Sequence, residues 1–109
     1  MANTFKLKTK ANVGVTTVGI YTAPAATTTV VIGITLANTS GSGVNVGVGI
    51  TRAGTTEDVK LLKNAPIPSG SSLEFMSGNK IVLEATDTVV VDSDTNNSVD
   101  AALTIMEIT

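Results

Sequence analysis

From Val44 to Thr51 the chain alternates without a fault. Val44, Val46, Val48 and Ile50 are apolar, and Asn45, Gly47, Gly49 and Thr51 between them are small or polar. Successive side chains of a β-strand point to opposite faces, so a period of two describes a strand with one face buried. The glycines on the other face let a backbone approach closely, or permit strong twist. The same period recurs along the whole chain, and no segment sustains the period of a helix. Forty of the 109 residues are Thr, Val or Ile, whose branched side chains favour strands.

Turn residues cut this pattern into short pieces. Phe5 and Leu7 alternate with Lys6 and Lys8, predicting a half-buried N-terminal strand whose lysines form the solvated face. A second strand runs over 16–22 and is ended by Pro24. The longest covers 27–38, with Val30, Ile32, Ile34 and Leu36 on one face and Val31, Gly33, Thr35 and Ala37 on the other. Both faces are apolar or small, as in a central strand covered on both sides. After a Ser40–Gly43 turn and the 44–51 strand, residues 53–56 turn into a strand over 58–63 with Val59 and Leu61 inward. Pro66 and Pro68 then fix an extended corner. Leu73 and Phe75 mark a strand, residues 77–79 a tight turn, and Ile81 and Leu83 are expected to pair with Val89 and Val91 across Ala85–Asp87. A polar loop over 93–98 precedes the last strand, where Val99, Ala101, Leu103 and Ile105 share a face with Ala102, Thr104 and Met106 behind. Eight or nine short strands at roughly ten-residue spacing predict an all-β fold, an antiparallel β-sandwich of jelly-roll or immunoglobulin-like order. No linker composition interrupts residues 1–109, so the expectation is one sandwich domain, with residues 1–14 as an extended N-terminal arm.

Composition excludes much chemistry. The chain has no Cys, His or Trp, which removes disulfides, thiolate nucleophiles, thiolate zinc sites and the usual nucleophile-activating triads. A net charge of −2, one Arg and three aromatics suit neither phosphate contacts nor base stacking, so no nucleic-acid partner is expected. No apolar run is long enough for a membrane-spanning helix, and Lys6, Lys8 and Lys10 interrupt any export signal, so no membrane partner is expected either.

Four short patterns have a plain structural reading. Asp92-Ser93-Asp94-Thr95-Asn96 opens like a calcium loop, but Asn97 and Leu103 stand where that loop needs Gly and a bidentate Glu. Glu84 and Asp87 resemble an acid–base pair, yet they straddle a tight turn where Asp is favoured for its local hydrogen bonds. Ser77 and Lys80 have Ser-x-x-Lys spacing but close a hairpin, whereas that chemistry needs a helical turn. Gly41-Ser42-Gly43 has no helix after it to point at a phosphate. No catalytic, cofactor-binding or metal-ligating residue is assigned, and no enzyme is expected. Instead, a mean hydropathy of +0.33 with 15% charged residues, against about a quarter in ordinary soluble domains, describes a surface that packs against neighbours. The expected partner contacts are Phe5, Lys6, Leu7, Lys8 and Lys10, as an arm adding a strand to a neighbour.

Ile20-Tyr21-Thr22-Ala23-Pro24 and Thr28-Thr29-Val30-Val31-Ile32-Gly33, running into Leu36-Ala37-Asn38, resemble small virion structural proteins of tailed bacteriophages, cyanophages in particular. So do Lys63-Asn64-Ala65-Pro66-Ile67-Pro68-Ser69-Gly70-Ser71-Ser72-Leu73, Gly78-Asn79-Lys80-Ile81-Val82-Leu83-Glu84, Asp87-Thr88-Val89-Val90-Val91, and Leu103-Thr104-Ile105-Met106-Glu107-Ile108. The resemblance covers residues 16–109 and rests on strand and turn residues. It implies a β-sandwich built into the particle, a capsid decoration (cement) protein bridging major-capsid subunits, or else a neck, baseplate or tail-fibre-attachment component. The implied partners are further copies of the chain, with a homotrimer suited to a local threefold, and the major capsid protein. The implied location is the virion, assembled in the host cytoplasm. A carbohydrate-binding sandwich is the remaining alternative, and the scarcity of aromatic residues weighs against it.

Overall fold

A computed structural model describes residues 3–52, 58–75 and 80–109. The turns expected at 53–56 and 77–79 lie outside the described residues. Nine strands are present among the described residues: β1 (Asn3–Val13), β2 (Val18–Thr22), β3 (Thr28–Asn38), β4 (Val44–Thr51), β5 (Asp58–Ile67), β6 (Ser72–Phe75), β7 (Ile81–Leu83), β8 (Thr88–Ser93) and β9 (Val99–Ile108). All pairings are antiparallel. One sheet has the order β1-β9-β3-β6, with β7 also on β3, and the other the order β2-β8-β4-β5. The sandwich expectation holds. Because β6 and β7 pair with successive stretches of β3, they act as one interrupted strand, and the two four-stranded layers then have jelly-roll order.

The inner faces meet in one core. Leu36, Leu83, Leu103 and Ile105 from the first sheet and Val46, Val48, Ile67 and Val91 from the second are all fully buried. Pro66 sits inside β5, where the loss of a donor costs no ladder bond because β5 is an edge strand.

Three local expectations fail for the same reason: position in the fold overrides a strand's own pattern. First, Ile81–Leu83 pairs with β3, while Val89 and Val91 lie in the opposite sheet. Residues 84–87 therefore carry the chain between layers, held by the Thr86 and Ala23 amides, which donate to Ala23 and Asp87 carbonyls. Second, β3 does not keep one face. A bulge between Val31 and Gly33 adds a residue, so Val31 and Ile34 are both buried although they stand at odd spacing. Third, Val59 is 38% exposed, because β5 is an edge strand with two register shifts against β4.

Candidate interaction surface

The N-terminal strand is laid along its own sheet, with Asn3–Lys10 opposite Ile108–Ala101 of β9, and its outer edge pairs with no other strand among the described residues. Directly opposed residues of an antiparallel ladder share a face. The core position of Leu103 and Ile105 therefore forces Lys8 and Lys6, their partners, onto the inner face. Phe5 and Leu7, opposite Met106 and Thr104, turn outward and are 69% and 65% exposed. This reverses the sequence expectation for β1. A one-residue change of register exchanges a strand's faces, and here β9 sets the register. An edge strand meets little of the opposite sheet, so lysine stems run along it to water.

One of those lysines closes a buried network. Lys6 Nζ lies 2.8 Å from Glu107 Oε1, and the Tyr21 hydroxyl donates to Glu107 Oε2 at 2.6 Å. That uses the single phenol proton, so the Thr29 hydroxyl donates to the Tyr21 oxygen at 2.8 Å. The bonds from Lys6 and Tyr21 hold the Glu107 carboxyl below its ordinary pKa. Burial, reinforced by Glu107, pushes the Tyr21 phenol up to about 12. The network joins β1, β2, β3 and β9 across both layers.

The outer face of the same sheet has the opposite character. Phe5 stands opposite Met106, Met106 opposite Val30, and Val30 opposite Val82. This is an unbroken apolar row across four strands, flanked by Leu7 and by Ile108. Val82 is 57% exposed, and Phe5, Leu7 and Val82 are three of the five large hydrophobic side chains exposed among the described residues. Toward the other end of the face, Thr9, Ala11, Thr35, Ala37 and Ala102 line a shallow depression of about 320 Å³ bordered by Asp100. The structure thus separates the expected contact residues: Phe5 and Leu7 on the outer face, Lys6, Lys8 and Lys10 on the inner side of the edge. Met106, Val30, Val82 and Ile108 were missed. The signal for them was present, since β3 and β9 are apolar on both faces while a single sandwich covers only one.

Elsewhere the polar groups serve the fold. Asp87 Oδ2 accepts the Glu84 amide at 3.0 Å and Asp87 Oδ1 accepts Arg52 Nε at 3.0 Å, while Arg52 also pairs with Glu84. These two acids therefore hold a turn. Asp92 accepts from the Thr17 hydroxyl at 3.0 Å, and Asp94 from the Asn45 amide at 3.1 Å, so both carboxylates of the calcium-like stretch are engaged locally. Among the described residues no three His, Cys, Asp or Glu side chains converge, and no helix is long and apolar enough to cross a membrane.

No protein-family model matches the chain, and no curated protein matches it. Its fold is similar to that of several solved structures. A chain of the Bacillus endospore appendages, a family of disulfide-linked pili, matches with a TM-score of 0.57 at 16% identity, over 99% of this chain and 87% of that one. The T13 particle of infectious bursal disease virus matches with a TM-score of 0.58 at 15% identity, over 96% of this chain and 30% of that one. A chain of the cyanophage Pam1 capsid asymmetric unit matches with a TM-score of 0.53 at 14% identity, over 96% of this chain and 84% of that one. At these identities the likeness is one of fold. The cross-linking named for the pili has no counterpart here, because this chain has no Cys.

Proposed function

We propose that this jelly roll is a non-enzymatic structural protein of a bacteriophage virion, a capsid decoration (cement) protein that bridges major-capsid subunits. The observation that carries the reading is the uncovered apolar row Phe5–Met106–Val30–Val82 on one sheet face. Large apolar side chains grouped on an open face mark an interaction surface. Covering Phe5, Leu7 and Val82 contributes about 1–2 kcal/mol each, less than full burial because each is already partly covered. The fold likeness to chains of viral capsids, one of them a cyanophage capsid, supports a virion setting.

The size of the face supports bridging rather than an independent pair. Strands β1, β9 and β3, ten or eleven residues long and spaced ~4.8 Å apart, with the short β6 and β7 beside them, present a face on the order of 500 Å². A stable interface buries about 800 Å² per partner. A face of this size holds firmly when several contacts act together, since linked contacts raise avidity by ~10²–10⁴-fold. Phe5 and Leu7 belong to this docking face, and Lys8 and Lys10 supply charge at its edge. The test is the location and copy number of the chain in a purified particle. Hundreds of copies on the capsid surface support the decoration reading, and a dozen or fewer assign it to the neck, baseplate or fibre attachment. A chain absent from particles overturns both. The likeness to an appendage pilus subunit favours one second reading, a subunit of a filament, which electron micrographs of the purified protein as fibres would support.

A further inference from the structure

Strand β1 is built as an arm with a hinge. Residues 3–12 are exposed except for Lys8, which is half-buried, so this segment places nothing in the core. Val13, by contrast, is 1% exposed. Its carbonyl accepts the Ser98 amide at 3.0 Å, and the Gly14 carbonyl accepts the Ser93 amide at 2.9 Å. Between arm and anchor the ladder is broken: Lys10 is opposite Ala101 and Val13 opposite Val99. Asn12 in this bulge has a φ of 59°, a left-handed conformation that side chains other than Gly, Asn and Asp avoid. The backbone turn at residues 11–12, where the Asn12 amide donates to Asp100 Oδ1 at 3.0 Å, directs the arm onto the chain's own β9.

We propose that β1 is exchanged between copies, with Asn3–Lys10 of one chain lying on β9 of a second chain. Rotation of Asn12 into an ordinary extended conformation frees the arm, which at about 3.3 Å per residue reaches roughly 25 Å from the hinge. On the second copy it meets the same ladder, and its Lys6 meets the buried Glu107 there as in the closed form. Every contact of Asn3–Lys10 is reproduced and only the hinge bond of Asn12 to Asp100 is given up, so the balance is set by how densely copies are held. Dilute chains close on themselves and assembled chains exchange, a low-cost route to oligomers. The inference deepens the structural-protein reading and rests on it only in that copies assemble.

The test uses Thr9 and Ala102, a directly opposed pair on the outer face beyond the apolar row. Opposed residues have Cα atoms ~4.5–5.5 Å apart, within disulfide range, and a chain without Cys has no background cross-link. A dilute chain carrying both Thr9→Cys and Ala102→Cys is expected to oxidise within itself, which shows that the ladder is intact. When a Thr9→Cys chain and an Ala102→Cys chain are co-expressed in equal amounts, assembled and oxidised, about half of the material is expected as a covalent pair joining the two substituted peptides, because a random exchange brings an arm onto the other variant half of the time. Material left almost wholly uncross-linked in that mixture, with the double variant still closing only within itself, overturns the proposal, and so does a protein that stays monomeric. Either result leaves the copy number in particles, and with it the virion reading, to stand or fall separately.

Discussion

A Cβ added at Gly49 would lie 2.7 Å from the Val59 carbonyl oxygen, a backbone atom that cannot swing aside. At Gly47 the neighbour is Asp92 Oδ1 at 2.6 Å from the added Cβ, a side-chain tip that can move, and Gly33 has nothing within 4 Å. Gly49 thus lets the protein's own edge strand approach. Gly49→Ala is expected to lower stability by ~1–3 kcal/mol, and Gly33→Ala to raise it by ~0.5–1 kcal/mol, both read from urea unfolding. Tyr21 and Glu107 give the pH dependence. The folded state holds the phenol proton up to about 12 against an ordinary value of 10.0, so the stability this supplies is complete below pH 10 and is lost as pH rises through 12. Glu107 is shifted the other way. Its contribution is present above the ordinary Glu range and disappears as pH falls through its lowered value. Tyr21→Phe is expected to remove the phenol's share of the alkaline decline and to cost ~1–2 kcal/mol at neutral pH. Unfolding midpoints measured from pH 9 to 12 for both proteins check this.

At the scale of elements, β1 is an edge strand that buries no side chain before Val13. Local stability follows buried contact, so its amides are expected to exchange hydrogen at least ~10-fold faster than those of β3 and β9. Equal protection would contradict a detachable strand. The strands themselves were legible in the sequence because alternation and turn residues are local properties. The faces were not always legible. Phe5 and Leu7 look buried within β1 and are turned outward by the register of β9. The alternation of β3 reads as continuous and is broken by a bulge at Ile32 that no residue type announces. The 81–91 segment reads as a hairpin, but its turn passes between layers. Register and layer are decided by partners distant in sequence. The candidate site was half legible for the same reason: Phe5 and Leu7 stand out as arm residues, whereas Met106, Val30 and Val82 join them only once four strands are side by side.

For the whole molecule, the outer face of the five-stranded sheet is the proposed docking surface, covered in the assembled state. Phe5→Ser combined with Val82→Ser is expected to leave the unfolding midpoint within a few degrees of the parent, because both side chains are mostly exposed. The same pair is expected to cut incorporation into particles at least ~10-fold, the effect of ~1.4 kcal/mol. Hydroxyl-radical footprinting of free and particle-bound protein is the most direct measurement, since phenylalanine, leucine and methionine side chains all report. Phe5, Leu7 and Met106 are expected to lose most of their reactivity on assembly, while Val15, exposed beyond the other end of β1, keeps its own. Unchanged reactivity at Phe5, Leu7 and Met106 in the particle would contradict a docking role for this face.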